Sequence, residues 1–315
     1  MTTVPRMARR TPGEPMGDAS GSAMSTLQAI VISMRPRQWT KNVFVFAALV
    51  FAGDLLDVQR VMFALVAFAM FCLLSGAVYI LNDVADVESD RLHEGKRTRP
   101  IAAGDLSRSV AVVAGVTIGA MAIGASVAVD PKFAAVLLGY ALLQVIYTLF
   151  LKKEVIVDAM AISVGFVLRA VAGAYAIGVP VSAWLLLCTF LLALFLALAK
   201  RRQELVLLEG DADMHRVSLG AYSEPFIDSM LSTTAAAAIV AYAVYTVTPG
   251  GGEHYQYLMA TVPFVVYGVF RYLYLVHRRD LGGRPEEILL TDVPLIVDLL
   301  IWAAFTVVIV YVLPS

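Results

Sequence analysis

The sequence predicts an all-α fold, a polytopic membrane bundle of nine transmembrane helices. Three observations predict it. Of 315 residues, 59% are hydrophobic and 16% charged, and the mean hydropathy is +0.77, too apolar for an ordinary soluble domain. The apolar residues fall in runs long enough to cross a bilayer, which takes about 20 helical residues. The cations gather in alternate connections, as in a chain threaded back and forth across a membrane.

In chain order, residues 1–24 are rich in Pro, Gly, Ser, Thr, Ala and Arg and lack an apolar segment, so they read as a disordered arm and not a signal peptide. One membrane domain over 25–315 follows, with no separate soluble domain. Residues 27–38 read as an interfacial entry helix broken at Arg35-Pro36-Arg37, because proline disfavours helical geometry in the residue before it. Trp39 then anchors the interface. Spans are expected at 40–56, 61–81, 109–129, 133–151, 156–178, 182–199, 227–248, 257–276 and 293–313. With the N-terminus in the cytoplasm, every cation except Arg60, Lys132 and Arg169 lies in the N-terminal arm or near a cytoplasmic loop, and Ser315 falls outside. Cys72 and Cys188 sit within spans, which argues against a disulfide framework, and the four histidines show no metal-ligand spacing.

The chemistry gathers where the second span stops. In Asn82-Asp83-Val84-Ala85-Asp86-Val87-Glu88-Ser89-Asp90, continued helix places Asn82, Asp83, Asp86 and Asp90 within roughly 100° of arc. Such an oxygen-rich face at a membrane border suits Mg²⁺, which takes carboxylates together with substrate phosphates; the plainer alternative is a solvated acidic helix end. Lys96, Arg97 and Arg99 follow within a dozen residues, able to bind phosphate oxygens or to serve as topogenic charge against lipid headgroups. A second cluster joins Tyr147, Lys152 and Lys153 to Asp158, which must face the bundle. A third, Lys200-Arg201-Arg202-Gln203-Glu204, ends the sixth span. Near the N-terminus Arg37, Lys41 and Asn42 bring two further cations and an amide to the same rim. Arg169, about 16 Å deeper than Asp158, reads as a structural partner for an internal carboxylate or carbonyl. Asp292 reads as an N-cap before Pro294, and Asp228 and Asp298 as buried, paired carboxylates.

The Asn-Asp-x-x-Asp-x-x-x-Asp run after the second span, the Lys/Arg-x-x-Arg-Pro segment behind it and the nine-span layout resemble the intramembrane prenyltransferase (UbiA) superfamily over residues 27–313. The resemblance implies a helical bundle around a cavity open to the cytoplasm and sideways to lipid, with Mg²⁺ on a diphosphate substrate. One departure matters. The superfamily's second acidic motif, expected near 200–213, is replaced by the cationic Lys200-Arg201-Arg202, and Asp211 and Asp213 are only two apart. Together with Arg35-Pro36-Arg37-Gln38-Trp39-Thr40-Lys41-Asn42, this resembles the branch that moves phosphoribose onto polyprenyl phosphates for bacterial cell-wall arabinan.

That branch implies 5-phosphoribosyl diphosphate as donor, polyprenyl (decaprenyl) phosphate as acceptor, and a multi-pass protein of the bacterial plasma membrane with its active site in the cytoplasm. It also implies Asp83, Asp86 and Asp90 as catalytic groups, with Asn82 completing the metal ligands. Substrate contacts would come from Arg37, Lys41, Asn42, Lys96, Arg97, Arg99, Tyr147, Lys152, Lys153, Asp158, Lys200, Arg201, Arg202 and Glu204. No nucleic-acid partner is expected, and a homo-oligomer is compatible with the bundle. Two other readings stay open: prenyl transfer onto an aromatic acceptor, which an acidic 200–204 segment would favour, and a transporter, which external charge would favour.

Overall fold

The computed structural model describes residues 24–207, 222–248, 255–279, 288 and 291–312, and among them every regular element is a helix. The expected arm over 1–24 lies outside the described residues except for Met24, as do Asp211 and Asp213.

Helix α1 (Thr26–Ser33) is capped by Ser25, whose Oγ accepts from the Gln28 N–H at 3.2 Å. The chain then turns at Arg35, which takes a left-handed conformation (φ 53°) directly before Pro36. The principal difference from expectation begins here. The segment foreseen as the first span, 40–56, is no single α-helix but a 3₁₀ helix, Pro36–Phe46, continued by the short helix α2, Ala47–Phe51. A 3₁₀ helix has three residues per turn, so Trp39, Asn42 and Val45 stack on one edge; Asn42 and Val45 are fully buried. It also rises about 2.0 Å per residue, so the two pieces together extend roughly 30 Å, the thickness of a hydrocarbon core.

Among the described residues eight longer helices are apolar enough to cross a membrane, each within a few residues of its expected place except Ala183–Val206, which runs seven residues past the expected end at 199: Val58–Ala85, Arg108–Val127, Pro131–Leu149, Val157–Ala176, Ala183–Val206, Glu224–Val247, Met259–Arg278 and Val293–Tyr311. In chain order the α-helices are α3 (Val58–Ala85), α4 (Val87–Leu92), α5 (Pro100–Ala103), α6 (Arg108–Val127), α7 (Pro131–Leu149), α8 (Val157–Ala176), α9 (Ala183–Leu207), α10 (Glu224–Val247), α11 (Tyr255–Leu258), α12 (Val262–Arg279) and α13 (Val293–Tyr311). Their starts reflect local chemistry. Asp57, Ser107, Asp130 and Asp292 cap α3, α6, α7 and α13 through backbone N–H groups, and α7, α10 and α13 carry proline in the first turn.

Helices adjacent along the chain pack as neighbours, from α3 with α6 through to α9 with α10, and the 3₁₀ helix lies against both α3 and α8. Large apolar side chains such as Leu142, Val145, Phe270 and Leu300 stay exposed on the bundle's outer faces, as a lipid-facing surface requires.

Arg169 of α8 holds the centre. Its Nε donates to Asn42 Oδ1 (2.8 Å), Nη1 to the Gly165 carbonyl (2.7 Å) and Nη2 to the Tyr140 hydroxyl (2.9 Å), while its guanidinium lies against the rings of Phe71, Tyr140 and Phe166. It meets carbonyl oxygens, a phenol and ring faces, and no carboxylate among the described residues. One turn further, the 3₁₀ helix presses on Gly173 so closely that a Cβ there would fall 1.8 Å from the Val45 carbonyl oxygen. Gly173→Ala must therefore push the two backbones apart. We expect a stability loss of about 1–3 kcal/mol, read as earlier thermal unfolding in detergent, while Gly139→Ala, where nothing lies within 4 Å of the added carbon, leaves unfolding unchanged.

Candidate active site

The aspartates stand where α3 passes into α4. Helical pairing continues through the junction, with the Asp86 N–H donating to the Asn82 carbonyl and the Asp90 N–H to the Asp86 carbonyl, both at 2.9 Å. The local winding loosens only at Asp86 (φ −94°, ψ 6°). The four oxygen-bearing side chains therefore keep one arc, but they divide it. On one flank, buried Asp83 and Asp90 share a single nitrogen, Arg99 Nη1, at 3.0 and 2.6 Å. On the other, Asn82 Oδ1 accepts from Thr148 Oγ1 of α7 at 3.0 Å, and half-exposed Asp86 faces Lys152 Nζ at 3.7 Å.

Asp83 has a second cation, and residue-by-residue reading missed it. Arg35 Nη2 donates to Asp83 Oδ1 while its guanidinium lies over the Tyr79 ring, 4.9 Å from the centroid. In the sequence Arg35 counted as a cation of the N-terminal side and as part of the segment carrying the branch resemblance, without a site role, because it belongs to no helix face. The left-handed turn before Pro36 is what swings it across to α3, and backbone held in a sparsely populated region is a recurring mark of functional sites. The signal available beforehand was the Arg-Pro step itself.

Of the cations behind the motif, Arg99 alone is shown touching the aspartates; Lys96 is half-buried and Arg97 exposed. The turn from His93 to Arg99 closes on α5, Arg91 Nε donates to the Ala102 carbonyl at 3.2 Å, and Gly104 ends α5 at φ 92°. Arg108 donates to Glu88, holding that exposed carboxyl below the usual range and tying α4 to α6. Arg37 is exposed, Lys41 half-buried and Lys153 exposed.

The cationic end of α9 has partners within the protein. Asp158 is fully buried and accepts from Arg201 Nε at 2.7 Å; Arg201 also donates to Glu204 at 2.6 Å. Arg202 Nε donates to Asp228 at 2.6 Å, and His277 Nε2 lies 3.3 Å from the same carboxylate. Asp158, Arg201, Arg202 and Glu204, foreseen as substrate contacts, thus hold α8, α9 and α10 together, and Asn42 joins Arg169 to Cys72 and Ser75 of α3. Tyr147 lies near enough to Arg201 to interact electrostatically. Lys200 is half-buried. The turn into α8 is strained: Ile156, β-branched, sits at φ 68°, held by its N–H donating to the Tyr222 hydroxyl at 2.7 Å. Asp292 caps α13 and takes Arg271 in a bidentate pair at 3.0 and 2.8 Å. With that arginine engaged, Asp298 is buried but has no ion-pair partner among the described residues, against the expectation of a paired carboxylate.

A divalent ion suits these donors. Asp83 and Asp90 already hold one positive centre between them, and Asp86 keeps an open side where phosphate oxygens can complete a coordination shell. No group of three or more His, Cys, Asp or Glu forms a closed cage among the described residues, and Mg²⁺ sharing its shell with substrate phosphates needs none.

Residues 42–286 match the UbiA prenyltransferase family model. The chain belongs to the UbiA prenyltransferase family. It is 37% identical over 294 residues to a Corynebacterium glutamicum protein named decaprenyl-phosphate phosphoribosyltransferase, covering 90% of this chain and 87% of that one. Proteins of the same name from Mycobacterium tuberculosis (34%, 87% and 92% covered) and Mycolicibacterium smegmatis (32%, 96% of each) are similarly related. Among solved structures, a UbiA homologue from Archaeoglobus fulgidus bound to DMAPP and Mg²⁺ shares the fold at a TM-score of 0.68 and 17% identity, over 90% of this chain and 100% of that one. A digeranylgeranylglyceryl phosphate synthase shares it at 0.67 and 16%, over 91% and 99%. The chain is thus a multi-pass membrane protein of an enzyme family.

The buried Asp158–Arg201 pair generates a test. Arg201→Met strands a buried carboxylate, and we expect a loss of about 3–5 kcal/mol, seen as a lower unfolding temperature in detergent. Adding Asp158→Leu should recover much of it, since apolar replacement of both partners removes the stranded charge.

Proposed function

We propose that this chain transfers 5-phosphoribose from 5-phosphoribosyl diphosphate to a polyprenyl phosphate such as decaprenyl phosphate, releasing diphosphate. The observation that carries the reading is the carboxylate cluster Asp83, Asp86 and Asp90 set among Arg35, Arg99 and Lys152, in a sequence that carries Lys200-Arg201-Arg202 where the resemblance leads one to expect a second acidic motif. One metal–diphosphate site facing cations fits two phosphorylated reactants better than prenyl transfer to a neutral aromatic ring. The relatives' names support the same substrates.

Asp83, Asp86 and Asp90, with Asn82, would hold Mg²⁺, which when bound neutralises the donor's diphosphate as it departs. Arg35 and Arg99 already lie on the carboxylates, placed to turn to phosphate oxygens and keep the leaving group oriented. Lys96, Lys152, Lys153 and Lys200 draw the lipid phosphate towards the donor against their mutual repulsion. That phosphate is already an anion and attacks ribose C1 without a general base; the new C1–O bond forms as the bond to diphosphate breaks. The site faces the cytoplasm of a bacterial plasma membrane, where the positive-inside bias puts the aspartate end.

Purified protein given radiolabelled donor, decaprenyl phosphate and Mg²⁺ should produce lipid-soluble label, and chelation should abolish it. Asp86→Ala should lower turnover at least a hundredfold with an unchanged unfolding temperature; an active Asp86→Ala enzyme would refute the metal assignment. No lipid-soluble label, alongside prenyl transfer from a prenyl diphosphate to an aromatic acceptor, would establish the other chemistry. Arg35→Ala should weaken donor binding by about tenfold to a hundredfold, as loss of a charge-assisted contact implies, measured by calorimetric titration of the donor with Mg²⁺.

A further inference from the structure

A cavity of about 560 Å³ opens at the end of the bundle opposite the aspartates. Helix α8 carries Asp158 at one end and Ala174 in the cavity wall, 16 residues and about 24 Å away. Helix α3 likewise carries Arg60 in the wall at its start and Asp83 near its finish. The size is that of a ligand pocket.

The wall chemistry selects the ligand. Its two charged groups, Asp54 and Arg60, are paired with each other, so no uncompensated charge calls for an ion. The hydroxyls of Ser182 and Thr248 are engaged at helix ends, with the Leu185 N–H and the Val244 carbonyl. The remaining lining is apolar: alanines on α2 and α8 make the room, and Phe51, Trp184 and Tyr245 supply ring faces. Phe51 packs edge-on against Tyr245 and tilts against Trp302 of α13, whose neighbours Leu300 and Ile301 are exposed on the lipid-facing surface. The cavity wall thus packs against α13, a helix with exposed apolar side chains. What fits is a hydrocarbon of some bulk that reaches it along the same helices that carry the aspartates.

We propose that this cavity holds the distal isoprene units of the lipid acceptor and sets a preference for long chains, an inference that rests on the phosphoribosyl-transfer reading. A short polyprenyl phosphate reaches the aspartate end but not the cavity; a long one reaches both.

The test compares acceptors of three and ten isoprene units in wild type and Ala52→Phe, which fills the cavity from an exposed position in its wall. We expect kcat/KM for the ten-unit acceptor to fall about tenfold, with the three-unit acceptor unaffected. A decaprenyl phosphate bearing a diazirine at its far end, photolysed on the unaltered protein, should label peptides containing Phe51 or Trp184, and excess phospholipid should not prevent it. Equal loss for both acceptors without such labelling, no loss for either, or labelling that ordinary phospholipid displaces would overturn the assignment. Wild type inactive with both acceptors would overturn the transfer reading and this proposal with it.

Discussion

Arg169 is a cation fixed deep in an apolar bundle with neutral partners, and the arrangement around it settles where the site can form. A guanidinium at this depth must be satisfied at every donor or solvated by ring faces. The structure supplies three hydrogen bonds, to an amide oxygen from the 3₁₀ helix, a phenol from α7 and a carbonyl of its own helix, and surrounds the rest with three aromatic rings. Because one of those oxygens belongs to Asn42, the arginine pins the 3₁₀ helix into the groove between α3 and α8. The bare backbone at Gly173 lets that helix seat fully, with the Val45 carbonyl against it. Seven residues before Asn42 the same segment carries Arg35, so the central clamp reaches the aspartates through a single rigid element.

The site at the other end of that chain of contacts is electrostatically prepared. Two buried carboxylates are neutralised by two arginines, while Asp86 and Lys152 stay nearer to water. Burying carboxylates without counter-charges would be prohibitive, so the arginines stabilise the site at rest and remain available for phosphate. The cations of α9 obey a different logic. Arg201 and Arg202 answer carboxylates of α8 and α10, fixing three helices together.

Much of this was legible beforehand. Eight spans follow from runs of apolar residues, and the start of the last from Asp292. The aspartate arc was readable because helical periodicity places Asn82, Asp83, Asp86 and Asp90 together whatever surrounds them. Arg169 could be assigned a structural role from depth alone. The 3₁₀ helix was not readable as such: its apolar end, residues 43–46, runs into α2 as an ordinary span would, and the contacts that hold it are with Gly173 and Arg169, both more than a hundred residues away.

Sequence alone determined what is periodic or compositional: membrane class, span positions, the bias of charge to one side and the acidic arc. Tertiary structure decided which cation meets which anion. Arg35 reaches Asp83 across 48 residues, Arg201 reaches Asp158 across 43, and Asn42 meets Arg169 across 127. Long flexible cations can satisfy many anions, and only the packed helices remove all but one choice, since a buried charge must take whichever partner lies within a hydrogen bond's length.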